Sequence, residues 1–296
     1  MHTRIIATSL LLALSGHAQA SIDIQFDFSY DTGNFFGNAG SAATLEAVAN
    51  VFEARFSDSF SAITSSGSNS FNPLFFNPSD PFGADITLNS ASFAADVIRI
   101  YVGGADLGND TLGLGGPGGY SCSGAGSFCA DAESRGQGTV SGSSATDYAS
   151  WGGAISFSNT ENWHFGTTTN DLDNNEADFY SVAMHEMAHV LGFGTADSFN
   201  ALISDGQFVG PSSGTVALSS DEGHWAEGTN SQVNGVFQEA AMTPSIFIGE
   251  RKAFTDLDFA AMNDIGWEVS PVPEAETWAM MLAGLGLIGF AARRRA

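Results

Sequence analysis

Residues 178–192 read Asp-Phe-Tyr-Ser-Val-Ala-Met-His-Glu-Met-Ala-His-Val-Leu-Gly, and this stretch decides the fold. An aspartate able to cap a helix is followed by mostly apolar residues, which predicts a buried helix over 179–191. On that helix His185 and His189 lie one turn apart on the same face, so both imidazoles can bind one metal ion. Gly192 follows directly after the predicted helix.

The chemistry of this motif points to zinc. Neutral imidazole nitrogens are common zinc ligands, and Glu186 lies between the two histidines, where it can take a proton from a water activated by the ion. The alternative is a helix with two surface histidines. Against it, residues 21–270 contain only four histidines, so chance would rarely place two of them at this spacing.

A third protein ligand is expected, because a catalytic zinc site usually has three and one open position. The motif resembles that of metzincin zinc peptidases, whose third histidine commonly lies ten residues after the first. Here that position is Thr195, and threonine is a poor zinc ligand. His224 is the only histidine after the helix and is the better candidate, with Asp197 as the alternative. His164 lies in a strand-like aromatic run and is expected to be structural.

The order of these features resembles that of the metzincin zinc peptidases. The motif HExxHxxG over 185–192, Gly-His-Trp over 223–225 and Ala-Ala-Met-Thr-Pro over 240–244 are similar to the leishmanolysin-like branch, whose third histidine lies far downstream. In metzincins a methionine turn forms an apolar floor beneath the metal, and that role falls on Met242. Residues 178–185 also resemble the start of the active-site helix in matrix metallopeptidases.

This resemblance implies a zinc-dependent endopeptidase acting on protein or peptide substrates. Its ligands would be His185, His189 and His224, with Glu186 as the general base. It also implies an α+β fold, in which a twisted mixed sheet and an active-site helix are followed by a smaller C-terminal lobe. We expect the N-lobe to extend to about residue 193 and the C-lobe to cover about 194–270. No tyrosine follows His224, so a tyrosine that stabilises the transition state after the methionine turn is absent.

A second hypothesis is a non-catalytic metal-binding protein of the cell surface or biofilm matrix, built on a peptidase scaffold. The acidic composition and the C-terminal tail suit it. Glu186 argues against it, because a scaffold without activity needs no carboxylate at that position.

The first twenty residues predict a secretory signal peptide. Arg4 gives a positive start, an apolar run covers 5–14, and Ala-Gln-Ala at 18–20 matches a cleavage site. The mature catalytic domain is expected to cover residues 21–270.

The other end, residues 271–296, predicts a sorting signal. Val-Pro-Glu at 272–274 precedes an apolar stretch up to Ala292 and three arginines at 293–295. The stretch is short for a membrane span, which needs about 20 apolar residues, and the arginines favour a cytoplasmic end. These parts resemble the PEP-CTERM tail of Gram-negative bacteria, although Ala275 replaces the second proline. The resemblance implies transient anchoring in the inner membrane, processing by an exosortase, and a final location at the cell surface or outside the cell.

Composition excludes some partners. The chain has 33 acidic and 9 basic residues and a formal net charge of −24. Such a surface repels nucleic acid and anionic lipid, so neither is expected as a partner. Between the two terminal signals lie about 250 residues, enough for one domain or two small lobes with a core.

Two further features concern stability and metals. Cys122 and Cys129 predict a disulfide in an oxidising compartment; the alternative is a free thiol that blocks the metal in a latent form. Residues 171–175 begin like a calcium loop, but Glu176 occupies the position that requires glycine. A solvated acidic loop is favoured there, and a calcium site of another type stays open.

Periodicity gives the remaining elements. Apolar alternation and β-branched content predict strands at 22–30, 60–63, 96–102 and 154–157, whereas helical spacing predicts helices at 42–56 and 256–265. Loops are expected over 103–138 and from the helix end to about residue 220. Residues 152–157 are interpreted as a sheet edge that could bind an extended peptide, with an interior strand as the alternative.

Overall fold

The computed structural model describes residues 22–37, 40–108 and 110–271. The predicted signal peptide, and all of the predicted sorting tail after residue 271, lie outside the described residues. The helices are α1 (Ser41–Glu53), α2 (Phe128–Ser134), α3 (Phe179–Val190), α4 (Asp197–Asn200) and α5 (Asp256–Asp264). The strands are β1 (Asp23–Asp27), β2 (Ser70–Phe75), β3 (Ile86–Thr87), β4 (Val97–Ala105), β5 (Gly113–Pro117), β6 (Gly119–Ser123), β7 (Gly152–Ser158), β8 (Trp163–His164), β9 (Ala177–Asp178), β10 (Ile203–Ser204), β11 (Gln207–Gly210), β12 (Gly214–Ala217), β13 (Asn230–Val233) and β14 (Val236–Glu239).

The central sheet has four strands in the order β1-β4-β7-β5. The first three are parallel, and β5 runs antiparallel to β7. This mixed sheet, together with its packed helices, confirms the predicted α+β class. Strand β7 is buried along its whole length between β4 and β5. The prediction that residues 152–157 form the sheet edge is therefore wrong, because residues 113–117 add a fourth strand beyond them.

Strand β5 lies inside the stretch predicted as a loop over 103–138, which also contains β6 and α2. Its sequence, Gly-Leu-Gly-Gly-Pro, lacks the β-branched and aromatic residues that indicate a strand. The glycines are needed because β5 packs directly on α3. A Cβ at Gly115 would lie 2.5 Å from the backbone oxygen of Glu186, and one at Gly113 would lie 2.7 Å from its Oε1. The edge strand can therefore approach the helix only because positions 113 and 115 have no side chain.

Side chains alternate between the two faces along each strand of the central sheet, and those on each face pack into a separate hydrophobic core. On one face, Ile98 and Ile100 of β4 join the core formed with α1 and α3. On the other face, Tyr101 joins an aromatic cluster with Phe75 and Trp151. The antiparallel sheet β3-β2-β6 carries Phe75 on this second face.

A disulfide connects Cys122 in β6 to Cys129 in α2, with a Cα–Cα distance of 5.8 Å. It ties the short helix to the sheet β3-β2-β6. Since both thiols are joined to each other, this arrangement leaves neither to act as a metal-blocking group.

The chain after α3 is more ordered than predicted. The expected loop up to about residue 220 contains α4 and the three-stranded sheet β10-β11-β12. Phe199 and Phe208 in this stretch are fully buried and contact each other. The hairpin β13-β14 and the strand pair β8-β9 were also not predicted, whereas residues 60–63 contribute only an isolated bridge at Ile63. These elements are short and lack an extended periodic pattern.

The C-terminal helix α5 begins with a capping box formed by Thr255 and Asp258. Beyond it, Trp267 stacks on Phe56 with ring centroids 4.3 Å apart, and its Nε1 donates to the carbonyl of Leu191 at 2.8 Å. Residues on both sides of position 193 thus share one core. The division into two lobes near that position stays a prediction.

Arg135 ties α2 to the sheet. Its side chain is fully buried, and burial lowers the pKa of its guanidinium to about 10. The guanidinium donates hydrogen bonds to the backbone carbonyls of Ser61, Ala94, Val97 and Ser150.

Arg135→Ala should lower the free energy of unfolding by about 3 kcal/mol, because it leaves buried carbonyls without donors. Urea denaturation at fixed metal content measures this loss. The control is Arg99→Ala, which removes a partly exposed guanidinium and should cost about 1 kcal/mol or less. Equal denaturation midpoints for the two variants would contradict this role of Arg135.

Candidate metal centre

Three imidazoles converge at one point beside the central sheet. The Nε2 atoms of His185 and His189 lie 3.1 Å apart, those of His189 and His224 3.0 Å, and those of His224 and His185 3.1 Å. Among the described residues, this is the one group of three or more His, Cys, Asp or Glu side chains placed to hold a metal ion. The structure thus brings together the three histidines selected from the sequence.

Helix α3 places the first two histidines. Its N-terminus is capped by Asp178, whose carboxylate accepts from the backbone N–H of Ser181 at 3.1 Å. Arg251 binds the same carboxylate through two hydrogen bonds of 2.7 and 2.9 Å, which anchors the helix start to a distant segment. Almost the whole helix is buried, so the direction of both imidazoles is fixed by core packing.

The helix ends in a sharp turn at Gly192, where φ is +102°. A Cβ there would lie 3.0 Å from the ring of Tyr148, so glycine is required on two grounds. The turn brings the carbonyl of Phe193 within 2.8 Å of Nδ1 of His189. Thr195 does not face the cluster as a ligand; its hydroxyl donates to the carbonyl of His189 at 2.7 Å.

His224 follows a long segment whose two ends lie next to each other. The backbones at Gly194 and Gly223 are in contact, since a Cβ at Gly194 would lie 2.2 Å from the Gly223 oxygen. The chain therefore leaves the end of α3 at Gly194 and returns to the same place at Gly223. Without residues 195–223, His224 would follow Gly194 directly and lie ten residues after His185, where common metzincins have their third histidine. We call residues 195–223 the insert.

The protonation pattern of the three rings is fixed by their outer partners. Nδ1 of His185 lies 2.8 Å from the carbonyl of Ala241, Nδ1 of His189 contacts a carbonyl, and Nδ1 of His224 lies 2.9 Å from Oδ2 of Asp221. Carbonyls and carboxylates only accept, so each Nδ1 carries the hydrogen. The three Nε2 atoms then face each other, so all three rings present to the same point the nitrogen that can bind a metal ion.

The spacing of these nitrogens fits zinc. Three nitrogens bound tetrahedrally at about 2.0–2.1 Å from one ion lie about 3.3 Å apart, close to the distances found here. Burial, together with the neighbouring histidines, lowers the pKa of His185 well below its ordinary value and that of His189 to about 4. Both imidazoles are therefore neutral at physiological pH, as metal binding requires.

The methionine turn supports two of the ligands. Met242 is fully buried, and its carbonyl accepts from the N–H of Trp225, the residue after His224. The preceding residue, Ala241, provides the carbonyl that contacts His185. Met242 thus lies in the backbone network that links His224 and His185; its role as an apolar floor beneath the metal stays a prediction.

Asp258 of α5 also belongs to this network, a role that the sequence does not predict. Its fully buried carboxylate accepts from Nε1 of Trp225 at 2.8 Å and from the N–H of Ala241 at 3.0 Å. It also accepts the capping hydrogen bonds of Thr255. Burial raises the pKa of this carboxyl despite these donors. The spacing Thr-Asp-Leu-Asp over 255–258 is a helix-capping signal, but nothing in the sequence connects it to position 225 or 241.

Glu186 lies next to the cluster with only 7% of its surface exposed. Burial raises the pKa of its carboxyl to about 8, opposed by a hydrogen bond from the backbone N–H of Gly115 in β5. In the absence of a cation this carboxyl is therefore mostly protonated at neutral pH. A cation in the neighbouring histidine cluster would favour the ionised form.

A cavity of about 60 Å³ opens beside these residues. It is lined by Ser181, Val182, His185, Glu186, Ala241, Thr243, Pro244, Ser245, Ile246 and Lys252. The buried ammonium of Lys252 is held by Thr243, by the carbonyl of Ser245 and by an ion pair of 2.8 Å with Glu239. A larger cleft of about 510 Å³ shares residues 244–246 with it and continues toward residues 110–112.

The other candidate ligands lie outside the cluster. The carboxylate of Asp197 accepts from the backbone N–H of Gly142 at 2.6 Å. His164 is buried in β8 and contacts the carbonyl of Thr168. In the acidic loop over 171–176, Glu176 accepts from the N–H of Asp173. Among the described residues these acids form no metal-binding group, so calcium gains no support.

Comparison with known families agrees with this geometry. The matrixin family model matches residues 129–237, a range that includes the three histidines and Glu186. Over this range the chain is similar to matrixins. A PEP-CTERM protein-sorting motif matches residues 271–295. Searches of the curated proteins and of the solved structures gave no match to the chain.

The predicted metzincin-type chain with a PEP-CTERM tail is thus confirmed. The matrixin match agrees with the resemblance seen at the start of α3 and ends before Met242. This match indicates a zinc metallopeptidase, and the motif indicates export with C-terminal sorting. Within the described part of the chain, no helix has both the length and the apolar character needed to cross a bilayer.

His224→Ala should weaken zinc affinity by more than about 100-fold, beyond the loss typical of removing an outer partner. Asp197→Ala should leave affinity close to that of the wild type, because its carboxylate faces Gly142. Competition with a chromophoric chelator measures both constants. A strong loss for Asp197→Ala with retained affinity for His224→Ala would move the third ligand to Asp197.

Proposed function

We propose that this chain is an exported zinc-dependent endopeptidase, with His185, His189 and His224 as ligands and Glu186 as general base. The observation that carries the proposal is the convergence of three Nε2 lone pairs next to a buried carboxyl. A purely structural zinc site usually has four protein ligands, whereas three leave a position open for chemistry.

The chemistry divides between the ion and the chain. When bound, zinc supplies Lewis acidity, which lowers the pKa of a coordinated water toward about 7 and polarises a carbonyl. Glu186 takes the proton from the attacking water and passes it to the leaving amine. The hydrogen bond from Gly115 orients its carboxylate, and the buried setting keeps its proton affinity high enough for both steps.

The substrate would bind as an extended peptide along β5. This strand is the last of the central sheet, and its backbone lies against Glu186. Adding a peptide strand to a sheet edge provides main-chain hydrogen bonds that are independent of sequence. The cavity beside His185 and Glu186 would then hold a substrate side chain of small or medium size. The adjoining cleft gives room for further residues.

The two ends of the chain support action outside the cytoplasm. The sorting motif over 271–295 favours an exosortase as processing partner, and the predicted signal peptide at 1–20 provides the route of export. The paired cysteines suit an oxidising compartment.

Glu186→Gln should retain stoichiometric zinc and lose about 10²–10⁴-fold in kcat/KM on a peptide or casein substrate, because the proton acceptor is removed. Zinc analysis and hydrolysis are measured on the same preparation. The control is Glu176→Gln, an acid on the loop before α3, which should stay active. Full activity of Glu186→Gln would exclude the mechanism. A wild-type protein that binds zinc but cleaves nothing would instead favour the non-catalytic surface-protein hypothesis.

Glu186→Gln should also stabilise the metal-free protein, with a defined pH dependence. The carboxyl has a pKa of about 8 when folded and an ordinary value of 4.5, so the folded state holds a proton that the unfolded state releases. Stability of the wild type therefore falls as pH rises from 4.5 to 8, whereas glutamine does not titrate.

The advantage of glutamine should be near zero below pH 4.5 and reach on the order of 4 kcal/mol near pH 8. Urea denaturation of chelator-treated protein across this range measures it. An advantage that does not change with pH would show that Glu186 ionises normally in the folded state.

A further inference from the structure

The three proposed ligands are held in different ways. Two lie on a buried helix, and their Nδ1 atoms donate to backbone carbonyls. His224 lies on a loop outside helices and strands, and its Nδ1 partner is a side chain, the carboxylate of Asp221 at 2.9 Å. Its ring orientation therefore depends on a contact that a single substitution can remove.

The loop that carries His224 is organised around this carboxylate. Leu218 and Trp225 form an antiparallel bridge that closes the loop, and the N–H of Ser219 donates to the carbonyl of His224 at 2.9 Å. Within the loop, Oδ1 of Asp221 accepts from the hydroxyl of Ser219 at 2.6 Å and from the N–H of Gly223 at 2.9 Å. Its other oxygen, Oδ2, remains directed at the imidazole.

Contacts on either side of His224 set where the loop lies but not how the imidazole ring is oriented. The contact between Gly194 and Gly223 places the loop against the end of α3. Trp225 is fully buried and anchored to Asp258. Both contacts fix backbone on either side of His224. Outside the histidine cluster itself, the hydrogen bond that orients its side chain is the one to Asp221.

We propose that Asp221 is the positioning residue for the third metal ligand, fixing His224 as the Nδ1–H tautomer with Nε2 facing His185 and His189. This rests on the proposed metal site. A carboxylate in this position also makes the imidazole a stronger donor to a metal. Loss of such outer partners typically weakens metal affinity by about 10–100-fold.

The test compares Asp221→Asn with Glu222→Gln, which removes one negative charge from the next residue of the same loop. Zinc affinity is measured by chelator competition near neutral pH on protein checked for folding by circular dichroism. Asp221→Asn should bind zinc about 10–100-fold more weakly, and Glu222→Gln should stay close to the wild type. Equal affinities of wild type and Asp221→Asn, or equal losses in both variants, would overturn the proposal.

A second measurement separates positioning from a general structural effect. In a His224→Ala background, Asp221→Asn should cause no further loss of zinc affinity, because the ring on which it acts is gone. A further loss of the same size as in the wild-type background would contradict the proposal. Cobalt substitution adds a spectroscopic readout, since Asp221→Asn should change the d–d absorption of the bound ion whereas Glu222→Gln should not.

A third measurement needs no variant. In the wild-type protein, long-range ¹⁵N–¹H correlation should show His224 with its hydrogen on Nδ1, and the opposite tautomer would overturn the proposal. None of these measurements uses hydrolysis. A protein that fails to cleave peptides while showing the predicted losses would refute the endopeptidase but leave the role of Asp221 intact.

Discussion

The folded chain holds three imidazoles in orientations that bring their Nε2 atoms to about 3 Å from each other, an arrangement suited to binding one cation between them. Each ring is kept in this state by an acceptor on its other nitrogen, and burial keeps His185 and His189 from taking up protons instead. Much of the surrounding architecture serves this constraint. The capped helix α3 places His185 and His189. The turn at Gly192 places the carbonyl that binds His189, and the backbone next to Met242 places the carbonyl that binds His185.

The supporting groups come from parts of the chain that are far apart in sequence. Asp258 binds both Trp225 and Ala241, so α5 holds the backbone next to two ligands at once. The edge strand β5 contributes glycines that let its backbone reach Glu186. The insert leaves and returns at the contact between residues 194 and 223, so a long detour of the chain still delivers His224 to the position that a contiguous motif would give it. The core is continuous across these elements, which makes the geometry of the site a property of the whole domain.

The sequence predicted the parts of this arrangement that are local. The spacing of His185 and His189 on one helix, the cap at Asp178 and the helices near 42–56 and 256–265 follow from periodicity and capping. His224 could be selected because few histidines are present. Strand β5 could not be predicted, since its glycines are favoured by packing against α3 and not by strand propensity. The role of Asp258 and the interior position of residues 152–157 in the sheet could not be predicted either, because contacts distant in sequence decide both.

X-ray absorption spectroscopy at the zinc edge tests the central claim most directly, because it reports the atoms around the ion without requiring catalysis. Protein purified without chelator and loaded with one equivalent of zinc should show three imidazole nitrogens at about 2.0 Å, with a light-atom ligand completing a four-coordinate shell. A spectrum with fewer than three imidazoles, or with an ion bound mainly by carboxylate oxygens, would contradict the account.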